Sequence, residues 1–183
     1  MRSLLCGIAL LLAAGSSASA GEAVVVRWNR LEAVLGSGTE APLAIGPLAG
    51  TFDEYINPSG RWRTVGGGWA KLNVGNGALS FHIEGLAEAS AGIPPIGASR
   101  PTDTVKGTIV CYATVPGSVV FVDTPTVTLT EGSGSFEGFV NLPWQCADGP
   151  RAIAFLIRHD TPDRPGIDGR YMVYGAGRSI SAP

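Results

Sequence analysis

Two cysteines in the second half of the chain, Cys111 and Cys146, constrain its fold more than any other feature. They lie among three apolar segments, residues 105–111, 136–142 and 153–158. A disulfide between them would close a loop of about 36 residues, and the chain entropy lost by the unfolded state would stabilise the fold by about 3 to 4 kcal/mol. The pair therefore predicts one structural disulfide and a compartment that is oxidising enough to form it.

Residues 1–20 have the pattern of a secretory signal peptide. Arg2 gives a positive start, an apolar run follows, and Ala18-Ser19-Ala20 has the small-x-small form that signal peptidase accepts. The apolar run is shorter than the roughly 20 residues of a transmembrane helix. We therefore expect cleavage before Gly21, with loss of the third cysteine, and a secreted or periplasmic β-domain over residues 21–183.

The charge balance of the mature chain argues against two classes of partner. Without Arg2, twelve basic side chains stand against fifteen acidic ones, which gives a formal charge of −3. This balance provides neither the basic footprint of a nucleic-acid-binding protein nor a cluster of Lys and Arg for an anionic membrane surface. Nothing after Gly21 is apolar for long enough to span a bilayer. We therefore predict no nucleic-acid partner and no membrane association after cleavage.

Short β-branched and alternating runs, separated by turns that use many of the 26 glycines and 13 prolines, predict strands rather than helices. Residues 29–39 fit a single helical turn or an irregular loop, because their apolar residues have helical spacing but Gly36-Ser37-Gly38 ends the segment early. The connection 85–103 is long enough to be functional or mobile. We predict one all-β domain, an antiparallel β-sandwich or barrel of about eight to ten short strands with one disulfide. The predicted strands are residues 24–28, 51–56, 69–74, 78–84, 104–112, 119–123, 126–130, 136–142, 152–157 and 171–174.

Residues 69–84 give the clearest local pattern, an apolar alternation interrupted by Asn76-Gly77. Because Asn-Gly favours a type I′ turn, this segment predicts a β-hairpin with one buried and one solvated face. The side chains expected to face the core are those of Ala70, Leu72, Val74, Leu79, Phe81 and Ile83. The side chains expected to face solvent are those of Trp69, Lys71, Asn73, Ser80, His82 and Glu84.

An exposed aromatic ring among polar side chains is suited to a glycan or a protein partner, because such a ring gives contact area with little entropy to lose. The alternative is that the tryptophans cap the ends of the core, since Trp is highly buried on average. We expect Arg61-Trp62-Arg63 to extend the solvated face of the hairpin, and Tyr171 and Tyr174 to lie on opposite faces of the last strand. The predicted ligand-binding residues are Trp62, Trp69, Lys71, Asn73, His82 and Glu84.

Motifs of catalysis are sparse. The sequence lacks the nucleophile elbow, the P-loop, the dinucleotide fingerprint and the zincin motif, and its only histidines are His82 and His159. With two cysteines in a bridge, two histidines are too few for a zinc site unless carboxylates complete it. We therefore predict a non-catalytic binding or structural module without metal or cofactor. The alternative is a secreted hydrolase or metal-dependent enzyme that uses His159 and Asp160 as an acid/base pair in the polar segment 158–170.

Between residues 79 and 158 the order of residues resembles secreted bacterial proteins known only as hypothetical. The residues that carry this resemblance are Phe81, Gly85-Leu86, residues 105–111, Thr124-Pro125, Gly138, Leu142-Pro143, Cys146 and residues 155–158. Residues 77–86 also resemble one strand of the CHRD β-domains, although Ala87-Glu88-Ala89-Ser90 stands where those domains have a His-Ile-His type motif. Neither resemblance implies an activity.

Overall fold

The computed structural model describes residues 24–34, 62–88, 104–112, 119–147, 153–160, 162 and 171–181. These residues form eleven strands and one short helix, which confirms the all-β prediction. The elements are β1 (Val25–Ala33), β2 (Trp62–Arg63), β3 (Gly67–Asn73), β4 (Ala78–Glu84), β5 (Ala87–Glu88), β6 (Thr104–Tyr112), β7 (Val119–Asp123), β8 (Val127–Thr128), β9 (Gly134–Phe139), α1 (Trp144–Ala147), β10 (Ile153–His159) and β11 (Tyr171–Ser181).

Nine of these strands form one antiparallel sheet in the order β7-β6-β10-β11-β1-β3-β4-β9, with β8 paired to β6 next to β7. β2 and β5 form a separate pair. The large sheet is strongly curled. Three strands lie between β4 and β10 in sheet order, yet the ring centroids of Phe81 and Phe155 are only 5.4 Å apart. A flat sheet would place these strands roughly 19 Å apart, so the curl brings the inner faces of distant strands into one core.

The centre of the core contains the aromatic rings of Trp28, Phe81 and Phe155. Two glycines on the inner face of the sheet leave room for them. A Cβ atom at Gly107 would lie 2.5 Å from the Phe81 ring, and one at Gly175 would lie 2.5 Å from the Trp28 ring. The packing is therefore matched locally, because large rings on some strands fill the space that glycines leave on others.

Cys111 and Cys146 form the predicted disulfide, with Cα atoms 5.1 Å apart and both side chains fully buried. Cys146 lies in α1, which follows β9, and Cys111 lies near the end of β6. The bridge therefore fastens the segment after β9 to the opposite end of the sheet order. In the described part of the chain, no helix is long and apolar enough to cross a membrane.

Two strands are longer than the sequence pattern predicted. β1 continues to Ala33, where a helical turn or a loop was expected, because this part of the strand pairs with β11 throughout. Pairing with a neighbouring strand here overrides the helical spacing of Leu31 and Val34. β11 continues beyond Tyr174, where the predicted strand ended, because Gly175 pairs with Leu31 and makes room for the Trp28 ring.

The predicted hairpin forms between β3 and β4, but its turn differs from the prediction. A type I′ turn needs positive φ at both central residues, and only Gly77 of the Asn76-Gly77 pair has it, with φ of 74°. The turn instead spans four residues and closes with the Gly77 N–H donating to the Asn73 carbonyl at 2.9 Å. Glycine fits here for a second reason, because a Cβ atom at this position would lie 2.2 Å from the Val140 carbonyl oxygen.

A β-bulge between β10 and β11 places the two tyrosines of β11 differently from the prediction. Ile157 pairs with Val173, but Arg158 pairs with Tyr171, so Met172 is an extra residue in the ladder. The extra residue turns Tyr171 and Tyr174 to the same face, where both pack in one apolar cluster on the outside of β10. The prediction of opposite faces was wrong because it assumed regular alternation.

β4, β6 and β7 have the predicted bounds, and the other predicted strands that lie in the described part of the chain are present with shifted ends. Three predictions fall on residues outside the described part: the signal peptide 1–20, the strand 51–56, and most of the connection 85–103. The described beginning of that connection contains β5.

Candidate functional site

The two faces of the β3–β4 hairpin have opposite characters, as the alternation predicted. The buried side chains are those of Ala70, Leu72, Leu79, Phe81 and Ile83. On the other face Trp69, Lys71 and Glu84 are exposed, and Asn73, Ser80 and His82 are partly exposed. One face therefore packs in the core and the other meets solvent.

The pairing register arranges the solvated side chains in rows across neighbouring strands. One row runs across β1, β3, β4 and β9 and consists of Arg27, Lys71, Ser80 and Glu137. The adjacent row consists of Trp69, His82 and Ser135. Because paired strands lie about 4.8 Å apart, each row presents a side chain at that interval. We call these seven residues the polar face.

Trp69 is the one large aromatic ring of the polar face. Its side chain is 45% exposed, whereas Trp28 in the core is 1% exposed. His82 is its cross-strand partner, and Lys71 follows on the same face of β3. A half-exposed indole on a paired strand can contact an apolar surface of a ligand while neighbouring groups donate and accept hydrogen bonds.

A groove of about 250 Å³ lies on the same side of the sheet, between β1, β3, β4 and β9. Lys71, Ser80 and Glu137 contribute a cation, a hydroxyl group and a carboxylate to its lining, and Phe139, which is 74% exposed, lies beside them. Among the residues that the structure describes, neither Lys71 nor Glu137 forms an ion pair. Both charges are therefore available to a ligand.

Two members of the predicted site also have roles in the fold. The Asn73 Oδ1 atom accepts a hydrogen bond from the Gly75 N–H at 3.0 Å, so it supports the turn. Glu84 lies at the other end of the hairpin and packs over Gly66, where a Cβ atom would lie 2.1 Å from a carboxylate oxygen. The centre of the candidate site therefore consists of Trp69, Lys71 and His82.

Trp62 does not extend this surface, contrary to the prediction. It is 4% exposed, and its ring packs edge-on against His159 with 5.2 Å between the centroids. β2 pairs with β5 outside the large sheet, and the Trp62 N–H donates to the Val34 carbonyl at 2.6 Å. The prediction was wrong because it relied on closeness to Trp69 in sequence, whereas β2 packs on the core. Arg61 lies outside the described residues.

His159 and Asp160 lie in different surroundings. His159 is 4% exposed and packs against Trp62. The Asp160 carboxylate accepts a hydrogen bond from the Thr126 hydroxyl and lies 3.6 Å from the Lys106 Nζ atom. Consecutive residues of an extended chain point apart, and an acid/base pair needs hydrogen-bond reach between its members. The described residues do not bring these two together.

Asp160 belongs instead to a charged cluster that sequence reasoning missed. The Asp123 Oδ1 atom accepts hydrogen bonds from the Thr108 hydroxyl at 2.7 Å and from the Arg158 Nη1 atom at 3.3 Å. The Lys106 Nζ atom lies 3.7 Å from the other Asp123 oxygen. Two cations and two carboxylates thus satisfy one another, so the cluster connects β6, β7 and β10 rather than offering charge to a ligand.

Glu137 and Phe139 are site residues that sequence analysis did not single out. Both lie on β9, whose alternation places Ser135, Glu137 and Phe139 outward. The alternation of exposed and buried residues along β9 could have identified them. The predicted strand, however, covered residues 136–142, and the sequence analysis did not assign its residues to a solvated and a buried face. Their closeness to Lys71 also depends on pairing between β4 and β9, which the local sequence does not specify.

Possible metal ligands are scattered in the described part of the chain, where no three His, Cys, Asp or Glu side chains form a group that could hold an ion. Comparisons of the chain with protein-family models, with curated proteins and with solved structures found no match. The assignment of a function therefore depends on the geometry of the polar face.

Proposed function

We propose that this protein is an exported, non-catalytic β-domain that binds a glycan through its polar face. Sugar rings combine an apolar C–H surface with hydroxyl groups, so they suit a site that offers an aromatic ring beside hydrogen-bonding side chains. Trp69 supplies the ring, and Lys71, Ser80 and His82 supply the polar groups within two paired strands. The groove beside them gives room for a further sugar unit.

The exposure of Trp69 is the observation that carries this proposal. A Trp side chain on a strand interior is normally covered, because it is the largest apolar group that a fold can bury. Trp69 remains 45% exposed in the middle of a solvated face. Exposed aromatic anchors contribute much of the binding energy at interfaces because they lose little conformational entropy.

Two features support export. Residues 1–20 have the signal-peptide pattern, and the Cys111–Cys146 disulfide is typical of proteins outside the reducing cytosol. Intact-mass measurement of the exported protein should give a chain that begins at Gly21 and is two hydrogen atoms lighter than its reduced form. A chain that retains residues 1–20, or that contains two free thiols, would contradict this part of the proposal.

A glycan array followed by calorimetry of Trp69→Ala tests the binding site. We expect the substitution to weaken capture of the glycans that the array identifies by about 1 to 3 kcal/mol, because it removes the aromatic anchor. Trp144→Ala is the matched control, since Trp144 is 64% exposed but lies in α1 and belongs neither to the polar face nor to the lining of the groove. This control should leave the affinity unchanged.

Three results would contradict the proposal. Trp69→Ala could leave glycan capture unchanged, or it could unfold the protein, which would make the ring part of the core. The array could also be empty while a protein partner is retained through Trp69, in which case the polar face would be a protein interface instead.

A further inference from the structure

β9 is an edge strand of the large sheet. It pairs with β4 on one side and ends the strand order there. The Val140 N–H donates to the Gly77 carbonyl at 2.9 Å, in the same register as the β4–β9 pairs. This hydrogen bond shows which residues of β9 direct their backbone groups towards β4. In an antiparallel ladder, alternate residues direct both backbone groups to the same neighbour. Gly138 and Phe136 therefore point their backbone groups towards β4, as Val140 does.

The other three residues of β9 direct their N–H and C=O groups away from β4. These are Ser135, Glu137 and Phe139, and all three are exposed. Within the described ranges of the chain, none of them forms a backbone hydrogen bond on that side. Natural proteins protect such edges with charged side chains, proline or a bulge; this stretch contains one charge, Glu137, and no lysine, proline or bulge.

We propose that this free edge of β9 binds an extended segment of a partner protein by β-strand addition. Backbone hydrogen bonds to Ser135, Glu137 and Phe139 would hold the segment, and outward side chains would select it. Glu137 is exposed and forms no ion pair among the described residues, so it favours a basic residue opposite it. Phe139, which is 74% exposed, favours an apolar residue.

The geometry specifies a sequence pattern for the partner. Every strand pair in the sheet is antiparallel, and antiparallel pairing is the more stable arrangement. Residues opposite Glu137 and Phe139 are then two apart in the added strand, with the apolar residue first. The expected segment therefore has an apolar residue, any residue and then Lys or Arg, without proline.

A second copy of this chain fits the edge less well. The antiparallel pairing centred on β9 would place Glu137 opposite Glu137 of the other copy, and like charges directly opposite are destabilising. The β9 edge with a basic segment is therefore the favoured combination.

Capped synthetic peptides test the proposal by NMR titration of the full exported protein. The probe has valine and lysine two positions apart in a serine and threonine background, and the control peptide has glutamate in place of lysine. Before addition, the amides of Glu137 and Phe139 should exchange with solvent faster than those of Phe136 and Gly138. The lysine peptide should slow exchange at Glu137 and Phe139 and bind about two to five times tighter than the glutamate peptide.

Two variants separate backbone pairing from side-chain selection. Phe139→Pro removes one N–H of the free edge but leaves the pairs with β4 intact, because this N–H points away from β4. The variant should therefore bind the peptide at least about fivefold more weakly than Phe139→Ala does. Glu137→Lys should reverse the preference and favour the glutamate peptide. Trp69→Ala should leave peptide binding unchanged, so failure of this proposal and failure of glycan binding can be told apart.

Several outcomes would overturn strand addition at β9. Amides of Glu137 and Phe139 that are already protected in the free protein would mean that the edge is occupied. If the lysine and glutamate peptides bind with equal affinity, both to Glu137→Lys and to the unchanged protein, then Glu137 does not select the partner segment. Dimerisation that Phe139→Pro abolishes, without peptide binding, would assign the edge to self-pairing.

Discussion

The strands β4 and β10 belong to the same curled sheet, but they bury different numbers of faces. β4 alternates, with Phe81 buried and its neighbours Ser80 and His82 partly exposed. β10 is buried at all seven positions. Its inward residues join the main core, and Ala154 and Leu156 form a second apolar cluster on the outer side.

This difference shows how one sheet can provide both a stable frame and a free surface. A strand that is covered on both faces fixes its position through two sets of apolar contacts, whereas a strand covered on one face leaves alternate side chains available. The polar face lies on the half with one-sided strands. The charged cluster around Asp123 lies on the other half, where its charges are satisfied within the fold.

The largest expected effect comes from introducing a lysine on the outer side of each half of the sheet, which tests whether the two outer sides differ. Leu156→Lys should lower the free energy of unfolding by at least about 4 kcal/mol, because it removes a buried side chain and introduces a charge into an apolar cluster. Ser80→Lys on the polar face should change it by less than about 0.5 kcal/mol. Urea unfolding measures both. Similar values for the two variants would show that the outer sides of the two halves do not differ.

The contrast between the two halves could be predicted from local sequence. Residues 78–84 alternate in polarity, which is typical of a one-sided strand, and residues 152–157 are apolar throughout, which is typical of a strand covered on both faces. The exposure of Trp69, Lys71 and His82 followed from the same period. The disulfide was predictable because only two cysteines lie outside the predicted signal peptide.

The features that could not be predicted depend on pairing between distant segments. Arg158 hydrogen-bonds to Asp123, which is 35 residues away in sequence, only because β6 lies between β7 and β10. The burial of Trp62 depends on pairing between β2 and β5. The shared face of Tyr171 and Tyr174 depends on one extra residue in a ladder. Local patterns specify faces of strands, but they do not specify partners or bulges.

Removing the disulfide tests how the two halves are held together. Cys111 belongs to β6 on the covered half, and Cys146 follows β9 on the solvated half. The double variant Cys111→Ala with Cys146→Ala should lower the free energy of unfolding by about 3 to 4 kcal/mol, because the unfolded chain regains the entropy of a long loop. Reduction of the unchanged protein is the control and should give a similar loss. A loss below about 1 kcal/mol would mean that strand pairing alone holds this end of the sheet.

The smallest expected effect is a dependence on alkaline pH that belongs to the covered half. Burial raises the pKa of Tyr171 to about 12, with a further contribution from the charge of Tyr174. Burial also raises the pKa of Tyr174 to about 12, helped by its hydrogen bond to Glu32 at 2.7 Å. An ordinary tyrosine in the unfolded chain has a pKa of about 10.

The sign follows from which state retains the proton. Below pH 10 both states are protonated and the stabilisation is complete, and between about pH 10 and 12 the unfolded chain loses protons that the folded protein still holds. Stability should therefore fall over this interval, as measured by urea unfolding at several pH values. Tyr174→Phe should lower stability at neutral pH by about 1 kcal/mol, because the hydrogen bond to Glu32 is lost, and it should also make the alkaline decline less steep.

Trp69→Phe on the solvated half is the control and should leave the alkaline decline in stability unchanged. An equally steep decline in Tyr174→Phe would show that this phenol is not held in its neutral form by the fold.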